Sequence, residues 1–429
     1  MQTVSGWDRL LSTFSWAFTQ PTAATFRRLI TGWVLATSRR TISGVIPFAD
    51  PGGERSHDSY HRFVSHAAWA AADLWQTLAE AIDRYLEPGK QLTVLGDDTV
   101  YKKTGKQVDG AGYYRDQVRS TTLVPSIVWG LNLVVLTVRI PHPSGGEPLA
   151  LPINMRLFRK GETSPQELLM EMILELTAWL PERTITLVAD GFYASLAKEE
   201  LAGARLITRL RKDAAIFELP ARRRRGARGR PARKGKRLPP PREMARRVRR
   251  WRRVTIDQRG TPTEREVYSR RVIWWSGGGA RPVQLVLSRH PDHPAHVDYY
   301  LTTDQTAAPE EIVEHYVNRW PIEDTFRWVK QHLGGEQPQA WRPGAPERAA
   351  AIGLLTYSLV WLWFLPRRGK TLRFTTSPWY PAKQRASFKD ALAALRSCLW
   401  RDRNKRMSET VSGRRLILAL MLKALAVAA

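Results

Sequence analysis

Cysteine is almost absent from this sequence. The chain has 429 residues and a single cysteine, Cys398, so an internal disulfide is excluded. No group of Cys and His residues has zinc-ligand spacing, and the first thirty residues lack the basic start and apolar stretch of a signal peptide. The length exceeds that of one ordinary domain and 43% of the residues are apolar, which predicts two or three folded units in a reducing, cytoplasmic compartment.

Acidic residues are scarce relative to basic ones. Against 67 Lys and Arg there are 40 Asp and Glu, which gives a formal net charge of +27, and residues 222–253 alone carry +16. Such a segment suits a polyanion, since Lys and Arg displace the counterions of nucleic-acid phosphates. A solvated loop without a partner and an anionic membrane surface are the alternatives. Glycines and prolines interrupt the segment and disfavour an amphipathic helix, so the charge favours nucleic acid.

Long apolar runs are rare. One long uncharged stretch, residues 349–366, has 18 residues and includes Gly353, Thr356 and Ser358, whereas a lipid span needs about 20 apolar residues. The stretch therefore predicts a buried core helix, and no membrane association is expected.

The first 88 residues have the apolar periodicity of helices. Residues 26–36 and 39–46, separated by a two-residue break, fit a helix-turn-helix whose second helix would present Arg39 and Arg40 to DNA. Two packed helices with incidental arginines are the alternative interpretation.

From residue 91 onward the pattern changes to short apolar strands. The segment LTVLGDD ends in Asp98, two strand-like runs follow, Ser164 and Glu167 mark the start of a helix, and TITLVAD ends in Asp190. A further helix and strand complete the order. If the first and fourth strands are neighbours, Asp98 and Asp190 meet at the rim of a sheet. Two carboxylates so placed repel each other unless a cation lies between them.

A third acid comes from residues 309–335, which predict a helix that Pro321 interrupts. Polar and aromatic residues fall on one face of each half: Tyr316 and Arg319 before the break, and Glu323, Phe326, Arg327 and Lys330 after it. By itself, Glu323 with Arg327 is more typical of a surface ion pair.

The spacing of Tyr316, Arg319, Glu323 and Lys330 resembles the Y-R-E-K signature of DDE transposases from bacterial insertion sequences of the hairpin-forming, cut-and-paste type. The segments LGDDTVYKKTGK, VADGFYAS and RWPIEDTFRWVKQHLG resemble the first-aspartate, second-aspartate and glutamate segments of the same family. The resemblance extends over about residues 91–360. The Arg- and Pro-rich run and the termini depart from the family pattern, which leaves the specificity for DNA ends open.

The resemblance implies an α/β fold: a ribonuclease-H-like mixed sheet with flanking helices, interrupted by a β-rich insertion, plus helical N- and C-terminal regions. The implied organisation is a helical DNA-recognition region at 1–88, the first part of the catalytic core at 89–212, a basic linker and β-rich insertion at 213–300, the second part of the core with the glutamate helix at 301–366, and a helical region at 367–429.

The activity implied by the resemblance is transposition, in which the inverted-repeat ends of a mobile element are bound, cleaved and joined to target DNA. Asp98, Asp190 and Glu323 would hold two Mg²⁺ ions about 3.5–4 Å apart, with Mn²⁺ as a substitute, for hydrolysis and transesterification of phosphodiesters. The family pattern has the first acid directly before Thr, which favours Asp98. Asp97, on the opposite face of the strand, is the alternative.

Several residues are predicted to contact DNA. The resemblance assigns Tyr316, Arg319 and Lys330 to phosphates near the cleaved end, and Lys102 and Lys103 follow the first acid closely enough to steady the backbone, unless they form a solvated basic turn. Trp274 and Trp275, in the insertion, would stack on an extruded base or else belong to the core. Double-stranded DNA, as element ends and target, and a second copy of the chain in a homodimer are the implied partners, at the bacterial nucleoid.

Three other functions compete with an active transposase. A non-catalytic DNA-binding protein derived from such an enzyme would bind DNA ends without cleaving them. A structure-selective nuclease with a ribonuclease-H fold would cleave DNA without joining it. A membrane-associated basic protein would use its charge on lipid headgroups instead.

Overall fold

The computed structural model describes residues 4–86, 88–89, 91–116, 119–121, 123–221, 230–366, 381, 383–407 and 418. The first part of the basic segment and most of the predicted C-terminal region therefore lie outside the described residues.

The N-terminal region consists of helices around a shared apolar core: α1 (Val4–Ser12), α2 (Gln20–Leu35), α3 (Ile42–Ala49), α4 (His57–Ser65) and α5 (Ala71–Asp83). α2 and α3 pack closely at Gly32, where a Cβ atom would fall 2.6 Å from the Cβ of Ala49. The Thr41 hydroxyl accepts a hydrogen bond from the Gly44 amide at 3.0 Å and thereby begins α3. The second helix of the predicted pair thus begins later than the sequence indicated.

A mixed sheet follows, built from β1 (Gln91–Lys102), β2 (Gly112–Arg115), β3 (Ile127–Ile140), β4 (Leu149–Phe158), α6 (Pro165–Trp179), β5 (Thr184–Ala189) and β6 (Arg205–Arg209). β1 is antiparallel to β3 and parallel to β5, which confirms the predicted α/β mixed sheet. The capping box of α6 is present at Ser164 and Glu167. β1 does not end at Asp98, as the sequence suggested, because its pairing with β3 continues to Lys102.

The inserted region extends this sheet. It contains α7 (Pro241–Arg247), β7 (Arg252–Gln258), β8 (Thr261–Ile273), α8 (Trp275–Gly278), β9 (Pro282–His290) and β10 (His293–Thr302). β10 pairs antiparallel with β6, and β9, β8 and β7 follow in order, so the β-rich residues continue the core sheet. Tyr300 of β10 lies opposite Arg209 of β6 in this register.

Helices of the last part cover the sheet: α9 (Pro309–Val317), α10 (Pro321–His332), α11 (Ala345–Phe364) and α12 (Phe388–Met407). The break at Pro321 is as predicted, because proline cannot donate the hydrogen bond that would continue a helix. α11 is buried along nearly its whole length, so the uncharged stretch is a core helix. Within the described residues, no helix has the length and apolarity needed to cross a membrane.

His315 on α9 lies against the sheet and makes the fold sensitive to acid. Its Nδ1 is 3.0 Å from the Arg139 guanidinium, whose N–H donates, and 3.4 Å from the Thr93 hydroxyl. Burial, and then the Arg139 charge, lower the pKa of His315 from 6.5 to about 4, although Glu311 opposes the shift.

The free energy of unfolding is expected to fall by about 1–2 kcal/mol more between pH 7 and pH 5 in the wild type than in His315→Asn. In that interval His315 takes up a proton in the unfolded chain but not in the folded protein, so acid favours unfolding. The asparagine Oδ1 can still accept the bond from Arg139. Urea unfolding of both proteins at the two pH values measures the difference, and an equal fall in both would contradict this role.

Candidate active site

The two aspartates of β1 point to opposite faces of the sheet. Gly96 marks the face toward α6, since a Cβ atom there would lie 2.7 Å from the Leu169 side chain. Asp98 alternates with Gly96 and shares this face. The Tyr193 hydroxyl donates to Asp98 at 3.4 Å, and Asn132 on β3 also hydrogen-bonds it. Asp98 is thus held among neutral polar groups on the α6 face.

Asp97 faces the opposite side of β1, toward α9 and α10. The Arg319 guanidinium lies there, with Nη1 2.5 Å from Asp97 Oδ2 and Nη2 2.8 Å from Glu323 Oε1. Arg319 and Asp97 are largely buried, whereas the Glu323 side chain is 35% exposed. One cation therefore joins the carboxylate of β1 to that of α10.

Asp190 follows directly after β5, the strand parallel to β1. Its carboxylate accepts a hydrogen bond from the Phe192 amide at 2.9 Å and caps a short 3-10 helix, Gly191–Lys198. Leu187 lies on the α6 side, against the position that a Gly96 Cβ would take. By alternation along the extended backbone, Asp190 lies on the other side, the face of Asp97.

The charges of these groups interact. Burial, together with the nearby carboxylates of Asp98 and Asp190, raises the pKa of Asp97 to about 7, although Arg319 acts in the opposite direction. The pKa of Asp98 is also raised, mainly by burial and then by Asp190, against the hydrogen bonds that it accepts. Crowded carboxylate oxygens of this kind are the ligand type that Mg²⁺ prefers.

As they stand, the described residues include no three His, Cys, Asp or Glu side chains close enough together to hold a metal ion. The carboxylates of Asp97 and Glu323 have the right chemistry for a hard cation, but the guanidinium lies between them. The donor atoms are therefore of the type that binds Mg²⁺. Both carboxylates can bind one ion only if Arg319 moves from its position between them.

The other two members of the predicted signature, Tyr316 and Lys330, have separate surroundings. The Tyr316 ring packs 4.9 Å from the Tyr300 ring and 5.7 Å from the Arg209 guanidinium, measured between ring centroids and from the guanidinium carbon. Burial raises the pKa of Tyr316. Lys330 donates to the Val100 carbonyl at 2.9 Å. The surface pair of Glu323 with Arg327 is not observed, since Arg327 pairs with Asp324 at 2.7 Å.

Four other cations predicted to contact DNA have different surroundings. Lys102 pairs with Asp116 at 2.9 Å. Lys103 is half-buried and donates to the carbonyls of a loop at 336–338, and burial lowers its pKa to about 8. Arg40 is 6% exposed and donates to two carbonyls at the end of α2, whereas Arg39 is exposed. Arg40 therefore lacks the exposure expected of a DNA-binding group, whereas Lys103 is partly exposed.

The two tryptophans of the insertion differ in environment. Trp274 packs over Gly277, where a Cβ atom would come within 2.1 Å of its ring. Trp275 is 37% exposed, and the ammonium of Lys234 lies 4.7 Å from its ring centroid. Their helix, α8, packs against the 3-10 helix that Asp190 caps. Trp275 is thus the more exposed residue of this pair.

Sequence reasoning overlooked Asn132 and Tyr193. Asn132 is a polar residue inside the apolar strand IVWGLNLVVLTVRI, and such an interruption is a usable signal for a functional side chain. Tyr193 lies three residues after Asp190, within the segment VADGFYAS. The contact of either residue with Asp98 depends on strand pairing and could not be read from the sequence.

A comparison with family models finds a match over residues 13–263, more than half of the chain, to the model described as DDE superfamily endonuclease. The match includes Asp97, Asp98 and Asp190 and ends before Glu323, so the interpretation of Glu323 depends on the geometry above. No curated protein matches the chain. With the mixed sheet and its flanking helices, the match confirms the expected ribonuclease-H-like α/β fold.

Proposed function

Because the chain belongs to the DDE superfamily of endonucleases, we propose that it is a transposase that binds the inverted-repeat ends of a mobile element, cleaves them and joins them to target DNA. One observation supports this most strongly: Arg319 brings carboxylates of β1 and α10 together on the sheet face where Asp190 lies. A metal-dependent nuclease needs acids from separate elements at one point. A DNA-binding descendant without activity would not require this arrangement.

Two Mg²⁺ ions, for which Mn²⁺ substitutes, are the proposed cofactors, held by Asp190, Glu323 and an aspartate of β1. When bound, they supply Lewis-acid stabilisation of phosphate oxygens and lower the pKa of a water or 3′-hydroxyl. The chain's own residues orient the DNA. Arg319 and Tyr316 suit phosphate oxygens near the cleaved bond, since a guanidinium can bind phosphate through two hydrogen bonds.

The face of the sheet supports Asp97 as the ligand on β1, whereas the sequence pattern favours Asp98. Asp97 shares its face with Arg319 and Glu323, and Asp98 is bound by Tyr193 and Asn132 on the other side. In this proposal Asp97 binds metal, and Asp98 keeps β1 and the 3-10 helix after β5 in position.

The DNA surface is proposed to include exposed arginines of the insertion, Arg246, Arg249 and Arg250, together with Arg39, Lys102 and Lys330. Trp275 is the proposed stacking residue for an extruded base, because its ring is accessible and lies among cations. A homodimer that synapses two ends, and association with the bacterial nucleoid, belong to the same proposal.

The purified chain is expected to cut duplexes that contain the DNA flanking its reading frame, and to do so only with Mg²⁺ or Mn²⁺. Cleavage at matched inverted repeats, followed by joining to a second duplex, would support transposition, and gel analysis of labelled strands measures both steps. Binding of those ends without cleavage under either metal would favour the non-catalytic descendant. Cleavage without joining would favour the structure-selective nuclease.

A further inference from the structure

The position of Arg319 bears on when the metal site can form. One nitrogen of its guanidinium donates to the Asp97 carboxylate at 2.5 Å, and another donates to the Glu323 carboxylate at 2.8 Å. These are the carboxylates that the proposed function assigns to metal on β1 and α10. Both Arg319 and Asp97 are largely excluded from water, with side chains 13% and 15% exposed. A charge-assisted pair in such surroundings is stronger than an exposed one.

A divalent ion and this guanidinium compete for the same oxygens. A hard cation needs the lone pairs of Asp97 and Glu323 that now accept hydrogen bonds, and it would be repelled by the positive charge of Arg319 at that distance. Metal binding in the arrangement described therefore requires the ion pair to open. The cost is large unless the guanidinium finds another anion.

The surroundings of Arg319 indicate which anion that is. Tyr316, on the preceding turn, hydrogen-bonds Arg319, and the Arg209 guanidinium lies against the same tyrosine ring. The Glu323 side of the ion pair is partly open to solvent, so an incoming group can approach from there. A phosphate matches the fork of the guanidinium as well as a carboxylate does.

We propose that Arg319 occupies the metal-binding carboxylates Asp97 and Glu323 until a DNA phosphate binds its guanidinium, so that the metal binds tightly only when DNA is present. This rests on the proposed function for the identity of the two ligands. The consequence is reciprocal, since DNA must tighten metal binding by the same factor as metal tightens DNA binding. Free protein would then be protected from indiscriminate nuclease activity.

Binding of Mn²⁺ to the whole chain, followed by electron paramagnetic resonance of the free ion, tests the proposal without using activity. The DNA is a duplex that is already cut at the element end, so that no further hydrolysis follows. The expected affinity for Mn²⁺ is about 5- to 150-fold higher with DNA than without it. Equal affinities in a wild-type protein that cleaves DNA would overturn the proposal and leave the proposed function intact.

Variants of Arg319 distinguish this role from a merely structural one. Arg319→Gln removes the competing charge and is expected to bind Mn²⁺ in the absence of DNA more tightly than the wild type does, with little further gain from DNA. Arg319→Lys, which restores a cation, is expected to return part of the dependence on DNA. Arg327→Gln removes a cation of α10 that pairs with Asp324, and it should leave the affinity unchanged.

A lower Mn²⁺ affinity of Arg319→Gln without DNA, at an unchanged melting temperature, would show that Arg319 only supports the site and would overturn the proposal. If Arg319→Gln does not fold, the Mn²⁺ affinities of the wild type and of Arg319→Lys, each measured with and without DNA, still test the proposal. Absence of cleavage by a wild-type protein whose Mn²⁺ affinity depends on DNA would instead count against the proposed function.

Discussion

Asp97→Asn is expected to lower the rate of Mg²⁺-dependent DNA cleavage on the order of 10³-fold or more, because it removes the proposed metal ligand that shares its face with Arg319 and Glu323. Asp98→Asn is expected to lower the rate by about tenfold or less, since the amide oxygen can still accept the bond from Tyr193. Single-turnover cleavage of labelled duplexes at saturating metal measures both rates.

Each of the two variants is the control for the other, because Asp97 and Asp98 are neighbours on one strand and have the same side chain. Binding of uncleaved DNA should be close to that of the wild type in both. The reverse ranking, with Asp98→Asn inactive and Asp97→Asn active, would return the metal to the α6 face and support the choice that the sequence pattern favours. It would also remove one of the two ligands from the proposed role of Arg319.

Glu323→Gln is expected to have an effect of similar size, again on the order of 10³-fold or more in the cleavage rate. Asp324→Asn is the matched control. Asp324 is the next residue on α10, but its carboxylate pairs with Arg327 at 2.7 Å and faces away from Arg319. Its replacement is expected to remove only a partly exposed ion pair, with little change in cleavage.

Cleavage rates over a range of Mg²⁺ concentrations separate a lost ligand from a general defect. A lost ligand in Glu323→Gln should weaken the dependence on metal and leave the melting temperature nearly unchanged. Equal losses in Glu323→Gln and Asp324→Asn, with lower melting temperatures in both, would mean that α10 is needed only for folding. Full activity of Glu323→Gln would remove this residue from the site altogether.

The sequence was sufficient for local features. The capping box at Ser164 and Glu167 and the helix break at Pro321 were predicted correctly, because each depends on side chains only a few residues apart. The buried helix at 349–366 was also predicted, since its apolar length falls short of a lipid span. The segments around the first two acids lie within the part of the chain that matches the family.

Other features depend on which residues meet across the fold. Arg40, in a segment that resembled a DNA-reading helix, is buried at the end of α2, where it donates to the Trp33 and Ala36 carbonyls. The β-rich insertion was predicted to interrupt the core, and the structure joins it to the core sheet through the pairing of β10 with β6. Neither outcome has a local signal, because burial and strand order are set by contacts between residues far apart along the chain.

Asp97 and Asp98 show most clearly what the sequence determines and what only the tertiary structure determines. Alternation along a strand requires Asp97 and Asp98 to face opposite ways, and this much followed from the sequence alone. Which of the two faces receives α10 and the Arg319 guanidinium was decided by the packing of α6 on one side of β1 and of α9 and α10 on the other. A strand's pattern fixes the relative orientation of its side chains, whereas only the tertiary contacts of the sheet determine what each side chain meets.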